Sequence, residues 1–129
     1  MKSRRVRSSI LWASVLLTAC AHMPREPALD SSSGLDLAAL AARFGTPRCE
    51  VSVPLSQPQA LALAEREGVP QPETRTDWGA LVAAAQPGDQ LRQVSCLGRG
   101  NAGRAAGAVF FGLFRGGTLV AEMHPMIIN

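Results

Sequence analysis

Gly98-x-Gly100-x-x-Gly103 has the spacing of a dinucleotide-binding loop. Such a loop works only where a strand leads into the glycines and a helix opens on them, because the pyrophosphate rests on the first amides of that helix. Gln90 to Leu97 reads as a strand. After the glycines comes Ala108-Val109-Phe110-Phe111-Gly112-Leu113-Phe114, rich in aromatics and without a helical stripe. Arg115-Gly116-Gly117-Thr118 then leads into Leu119-Val120-Ala121-Glu122-Met123. Two apolar runs around Gly-Gly predict a β-hairpin with a tight turn. The glycine run therefore joins two strands, and Glu122, about 20 residues beyond it, has no ribose to bind. No nucleotide is expected. Gly98, Gly100, Gly103 and Gly107 are expected to form a mobile loop with positive φ angles.

Glu122 and His124 would share one strand face, a first step toward a metal site, but two ligands do not make one. The other histidine, His22, stands far away near the N-terminus. Nothing around His124 specifies a Ser, His and acid arrangement. Trp78 reads as core rather than as a platform for sugar rings. Glu65 and Glu67 flank Arg66 and read as a solvated helix end. Neither a metal nor a cofactor is expected, and no catalytic residue is nominated.

The remaining chemistry is in the cysteines: Cys20, Cys49 and Cys96. Lys2, Arg4, Arg5 and Arg7 form a positive region, and Ile10 to Leu17 is apolar apart from Ser14. This is the order of a secretory signal peptide, and the apolar run is short of the roughly 20 residues that span a bilayer. Its end, Leu17-Thr18-Ala19-Cys20, resembles the lipobox of bacterial lipoproteins. That resemblance implies that residues 1–19 are removed, that Cys20 carries a diacylglyceryl thioether, and that its amine is acylated too. By analogy with enterobacterial lipoproteins, Ala21 after the anchor implies the outer membrane, because an Asp there marks inner-membrane retention. Two or more acyl chains anchor a protein stably.

In the oxidising compartment that this address implies, Cys49 and Cys96 are expected to form a disulfide. It would close a loop of about 48 residues and contribute about 4 kcal/mol in the chain-entropy model. The alternative is a pair of buried free thiols. No CxxC motif suggests a redox enzyme.

Processing changes the charge. The whole chain carries +3, but four of its 13 basic residues precede Cys20, leaving nine Arg against ten acids. A mature chain near −1 gives no electrostatic footprint for nucleic acid. The charge is uneven, about −4 over residues 21–89 and +3 over 90–129, where Arg92, Arg99, Arg104 and Arg115 face one acid, Glu122. Such asymmetry marks either a binding face or two differently solvated surfaces. Arg99 and Arg104 beside the glycines, with Arg115 at the hairpin turn, are the candidate contacts for an acidic envelope or protein partner.

The elements that must position these residues can be read in order. Residues 20–33, with Pro24, Pro27 and Ser31-Ser32-Ser33, read as the acylated Cys and a flexible tether. One small domain spans 34–129. Gly34 to Phe44 predicts a helix capped by Ser33 and ended by Gly45. Cys49 to Val53 alternates like a half-buried strand. Ser56 with Gln59 forms a capping-box pattern, and Gly68 ends that helix, whose buried face holds Leu61 and Ala64 with Leu63 near its edge. A short helix from about Asp77 to Ala85, capped by Thr76 or Asp77, carries Trp78, Leu81, Val82 and Ala85 as its stripe. Pro87-Gly88 fits a type II turn. The expected fold is α+β: two or three short helices packed on a small antiparallel β-sheet of three or four strands that ends in a β-meander.

The stretch Trp78-x-x-Leu81, Pro87-Gly88-Asp89-x-Leu91-Arg92, Arg115-x-Gly117 and Asn129 is similar to a cadence in short bacterial proteins of unknown function, and the similarity implies no functional residue. The expected function is that of a non-enzymatic cell-envelope lipoprotein, membrane-anchored and facing the periplasm, serving as a binding or accessory module. One alternative is a periplasmic immunity lipoprotein that neutralises a toxin. A second is a small envelope hydrolase, which requires Glu122, His124 and a further acid to converge on a pocket.

Overall fold

A computed structural model of the chain describes residues 25–31, 33–100 and 103–128. Residues 1–19, expected to be a signal peptide, and Cys20 and His22 lie outside the described residues. The element order is α1 (Ala38–Phe44), β1 (Glu50–Val51), α2 (Gln57–Arg66), a 3-10 turn (Pro72–Thr74), α3 (Thr76–Ala84), β2 (Gln90–Arg99), β3 (Ala105–Arg115) and β4 (Thr118–Ile128). The four strands pair antiparallel in the order β1-β2-β3-β4. This is the expected α+β architecture, with three helices on a sheet that ends in a meander.

Local chemistry shapes the helices. At α2 the Ser56 hydroxyl accepts from the Gln59 amide, and the Gln59 side chain accepts from the Ser56 amide, so two otherwise unpaired donors are satisfied. Ala60, Leu63 and Ala64 form its buried face while Leu61 is only half-buried. Leu63 is thus central rather than marginal, because the helix rolls toward the sheet around Ala60. The first helix is shorter than its sequence pattern: it begins at Ala38, whose amide donates to Asp36 Oδ1, and Ser33 bonds the Leu35 amide instead of capping it. Gly45 ends it in the left-handed conformation, as expected. In α3 neither Thr76 nor Asp77 is the cap; Arg75 holds that position with no side-chain cap bond, and Ala85 is exposed beyond the helix end.

Both faces of the sheet are covered. On one, Leu40 and Ala41 of α1 pack with Val51, Val94, Phe110 and Phe114. On the other, Ala60, Leu63 and Ala64 of α2 and Trp78 and Leu81 of α3 pack on Leu91, Phe111, Leu113 and Met123. A strand covered on both sides has no polar face to present, so its sequence is continuously apolar rather than alternating. This is why residues 108–114 of β3, all buried, read as one unbroken run.

The β3–β4 hairpin turns at Gly116 and Gly117, with φ of 54° and 85°, the two positive angles of a type I′ turn. The glycine-rich segment joins β2 to β3, as expected, but most of it is not loop. Gly98 and Arg99 belong to β2, and Ala105, Ala106 and Gly107 belong to β3, leaving 100–104 as the connection. Gly107 sits at φ 142°, and a Cβ there would run into the Cys96 carbonyl. Its role is close approach between strands rather than mobility. Cys96 is fully buried beside Cys49, with Cα atoms 4.1 Å apart and sulfurs at bonding distance.

Residues 28–30, placed by composition in the tether, run along the outer edge of β1. The Asp30 amide donates to the Val51 carbonyl at 2.9 Å and the Val53 amide to the Ala28 carbonyl at 2.8 Å. Asp30 also meets Arg92, whose side chain is 5% exposed and further donates to the Ser52 carbonyl and Gln90 Oε1. A buried guanidinium must have its donors satisfied, and Arg92 does so by clasping this segment. The folded unit therefore begins before residue 34.

Candidate functional site

The geometry around His124 starts from an irregularity in β4. Phe111 pairs with Met123, whereas Val109 pairs with Met126, so β4 carries one residue more than β3 between them. Pro125 falls in that interval. Proline has no amide hydrogen for the ladder and is tolerated at edge strands and bulges, and β4 is an edge strand. Bulges turn side chains out of the regular pleat. Here the His124 amide leaves the ladder and donates to Asp77 Oδ2 at 2.7 Å. The imidazole Nδ1 lies 3.1 Å from the same oxygen.

Asp77 stands in the first turn of α3, where a carboxylate suits the helix dipole. Arg75 grips it with two parallel bonds, Nε to Oδ1 and Nη2 to Oδ2, both at 2.9 Å, and the Trp78 amide donates to Oδ1 at 2.9 Å. The Arg75 guanidinium, with the His124 and Trp78 amides, holds the Asp77 carboxyl well below the usual carboxylate range, against the opposing effect of burial. Asp77 is a fixed anion. The His124 ring lies beside it with its side chain 76% exposed.

Glu122, two residues earlier on β4, is held by the last turn of α1. Arg43 Nη1 donates to Oε2 at 2.8 Å and Nη2 to Oε1, while the same guanidinium lies over the Phe44 ring. Between α3 and β4 runs an open groove of about 600 Å³. Arg75, Asp77, Glu122 and His124 form its polar wall, Thr76 adds a hydroxyl, and Ala80, Leu81 and Ala121 make its apolar floor. Convergent polar groups over an apolar floor are the usual form of a small-ligand site.

The sequence paired Glu122 with His124, and both line this groove. It cast Asp77 only as a helix cap and had no role for Arg43 or Arg75. No sequence signal links these residues, because Arg43 lies 79 positions from Glu122 and Asp77 lies 47 from His124. Among the described residues no group of three or more His, Cys, Asp or Glu is arranged to hold a metal ion.

The three candidate arginines do not form one patch. Arg99 and Arg104 are exposed at the β2–β3 connection. Arg115 lies at the far end of the same strands, where Gln90 pairs with Phe114, about 30 Å along the ladder. It donates through Nε and Nη2 to Asp89 and through Nη2 to the Ala84 carbonyl. The Arg115 guanidinium in turn holds the Asp89 carboxyl below its ordinary range. Arg92 is likewise taken up by Asp30. The charge asymmetry along the sequence thus cancels in part across the fold. No protein-family model, curated protein or solved structure matches the chain.

Proposed function

We propose that this chain is a cell-envelope lipoprotein, processed before Cys20 and held by its acyl chains on a membrane facing the periplasm, by analogy the outer membrane. Its α+β domain acts as a non-enzymatic binding module, and the α3–β4 groove takes a small acidic envelope ligand. The lipobox-like Leu17-Thr18-Ala19-Cys20 supports the anchor. The bonding geometry of Cys49 and Cys96 fits a disulfide formed in an oxidising compartment. The observation that carries the binding reading is the groove itself, where the Arg75 guanidinium keeps N–H groups beyond those that Asp77 takes, beside a Glu122 carboxylate that Arg43 neutralises. A carboxylate or phosphate on the ligand suits such donors.

Amide NMR of the mature chain tests this, with glycerophosphate and peptidoglycan fragments as probes. Shifts at Ala121, Glu122 and His124 are expected. Shifts confined to Arg99, Arg104 and Ala105 would move the site to the β2–β3 connection, where Arg99→Glu with Arg104→Glu should abolish them. No shift with any probe sinks the binding reading.

One observation favours a second reading, a small hydrolase. An acid beside His Nδ1 is part of the arrangement that orients an imidazole as a base, and Asp77 Oδ2 lies 3.1 Å from His124 Nδ1. The hydroxyl lining the same groove belongs to Thr76. Ester or amide turnover that disappears in His124→Ala would establish this reading; the absence of turnover on a substrate panel would remove it.

A further inference from the structure

The docking of residues 28–30 on β1 sets how far the domain can stand from its anchor. With a free tether to residue 33, Cys20 would let the domain rise about 45 Å; from Cys20 to Ala28, where the pairing begins, the chain reaches at most about 28 Å. Arg25 itself lines a second groove, of about 530 Å³, between this segment and α2. Its walls are chiefly apolar, with Ala28, Val53, Pro54 and Pro58 exposed along it. Val53, 37% exposed, lies in this groove opposite Ala28, whereas Leu29, 60% exposed, pairs with Ser52 and so belongs to the other face of the same edge. The shortest stretch of chain to the anchor thus emerges from an exposed apolar patch.

We propose that this patch, Ala28 and Val53 with the groove of Pro54 and Pro58, is the face on which the domain rests against the bilayer that holds Cys20. The proposal rests on the lipoprotein reading above. The occupant of the patch is membrane lipid. The chain length admits it, and Arg25 at the groove's rim suits a lipid phosphate. The clasp of Asp30 by Arg92 keeps the short tether short. In this orientation the opposite edge of the sheet, β4 with the α3–β4 groove, is turned away from the membrane and open to periplasmic ligands.

The test uses the full lipidated protein in vesicles of phosphatidylethanolamine and phosphatidylglycerol whose acyl chains carry bromine, a contact quencher of tryptophan. Val53→Trp and Ala28→Trp place the probe in the patch. Ile127→Trp, in β4, is the control, exposed on the opposite edge about 19 Å away across the strands. Buried Trp78 is common to all variants and supplies the baseline. The Val53 and Ala28 probes should lose most of their fluorescence and the Ile127 probe should keep it. Equal quenching at both edges, or none at either, on protein whose mass shows acylated Cys20, overturns this inference and leaves the anchor reading standing. A mass without acyl chains on Cys20 overturns the anchor reading and, with it, the reach on which this inference depends.

Discussion

The His124 backbone amide donates to Asp77 Oδ2 at 2.7 Å, and the imidazole Nδ1 lies 3.1 Å from the same oxygen. One carboxylate thereby ties the start of α3 to the bulge of β4 beside the groove. Its charge is what holds the set together, since Arg75 and two amides all donate to it.

Stability should therefore depend on the ionisation of Asp77. Its folded pKa lies below the ordinary value, so its contribution is fully present above about pH 4 and is lost as pH falls further, through the folded value. Asp77→Ala should cost about 2–3 kcal/mol at pH 7, the scale of losing several charge-assisted hydrogen bonds on a mostly buried carboxylate. Urea midpoints of the wild type and Asp77→Ala should draw together as pH falls from about 5 toward 2. A gap that stays constant over that range would show that the carboxylate charge is not what acts.

Two glycine substitutions separate crowding from backbone angle. Gly107→Ala puts a Cβ against the Cys96 carbonyl in the middle of the sheet and should destabilise by more than about 2 kcal/mol. Gly116→Ala meets open space at φ 54° and should cost about 1 kcal/mol, the strain of a left-handed residue alone. Thermal melts of both decide; equal losses would remove the close-approach role of Gly107.

Replacing Cys49 and Cys96 together by Ala should cost about 4 kcal/mol, because the bond closes a long loop in the unfolded chain. The two residues are separated by 47 positions, and both are buried. Alkylation of the unfolded, unreduced protein should label neither. Labelling of both would mean free thiols.

Arg92→Leu should release the N-terminal segment as well as weaken the fold. Asp30 would lose its buried partner, at a cost of about 2–3 kcal/mol given its partial exposure. The Asp30 and Val53 amides, which bridge the segment to β1, should lose hydrogen-exchange protection before the amides of β2 and β3. If they stay protected, the strand pairing holds the segment without the clasp.

Features enforced between neighbouring residues were legible in the chain before any fold was known. Ser56 and Gln59 lie three positions apart, and their reciprocal caps need only a forming helix. Gly116-Gly117 and Gly88 have the backbone freedom that their turns demand, Pro87 presets the φ before Gly88, and the β3 segment is a continuous apolar run. Those signals sufficed for three helices and a meander. Features that depend on register between distant segments emerged only on folding. His124 meets Asp77 because a bulge at one strand position turns it toward α3. Glu122 meets Arg43 across 79 residues, and residues 28–30 leave the tether because Arg92 is buried beneath them. The start of α1 and the role of Leu63 moved for the same reason. Packing against a sheet covered on both faces overrode the local pattern, since the free energy of burial resides in contacts whose partners no short window of sequence contains.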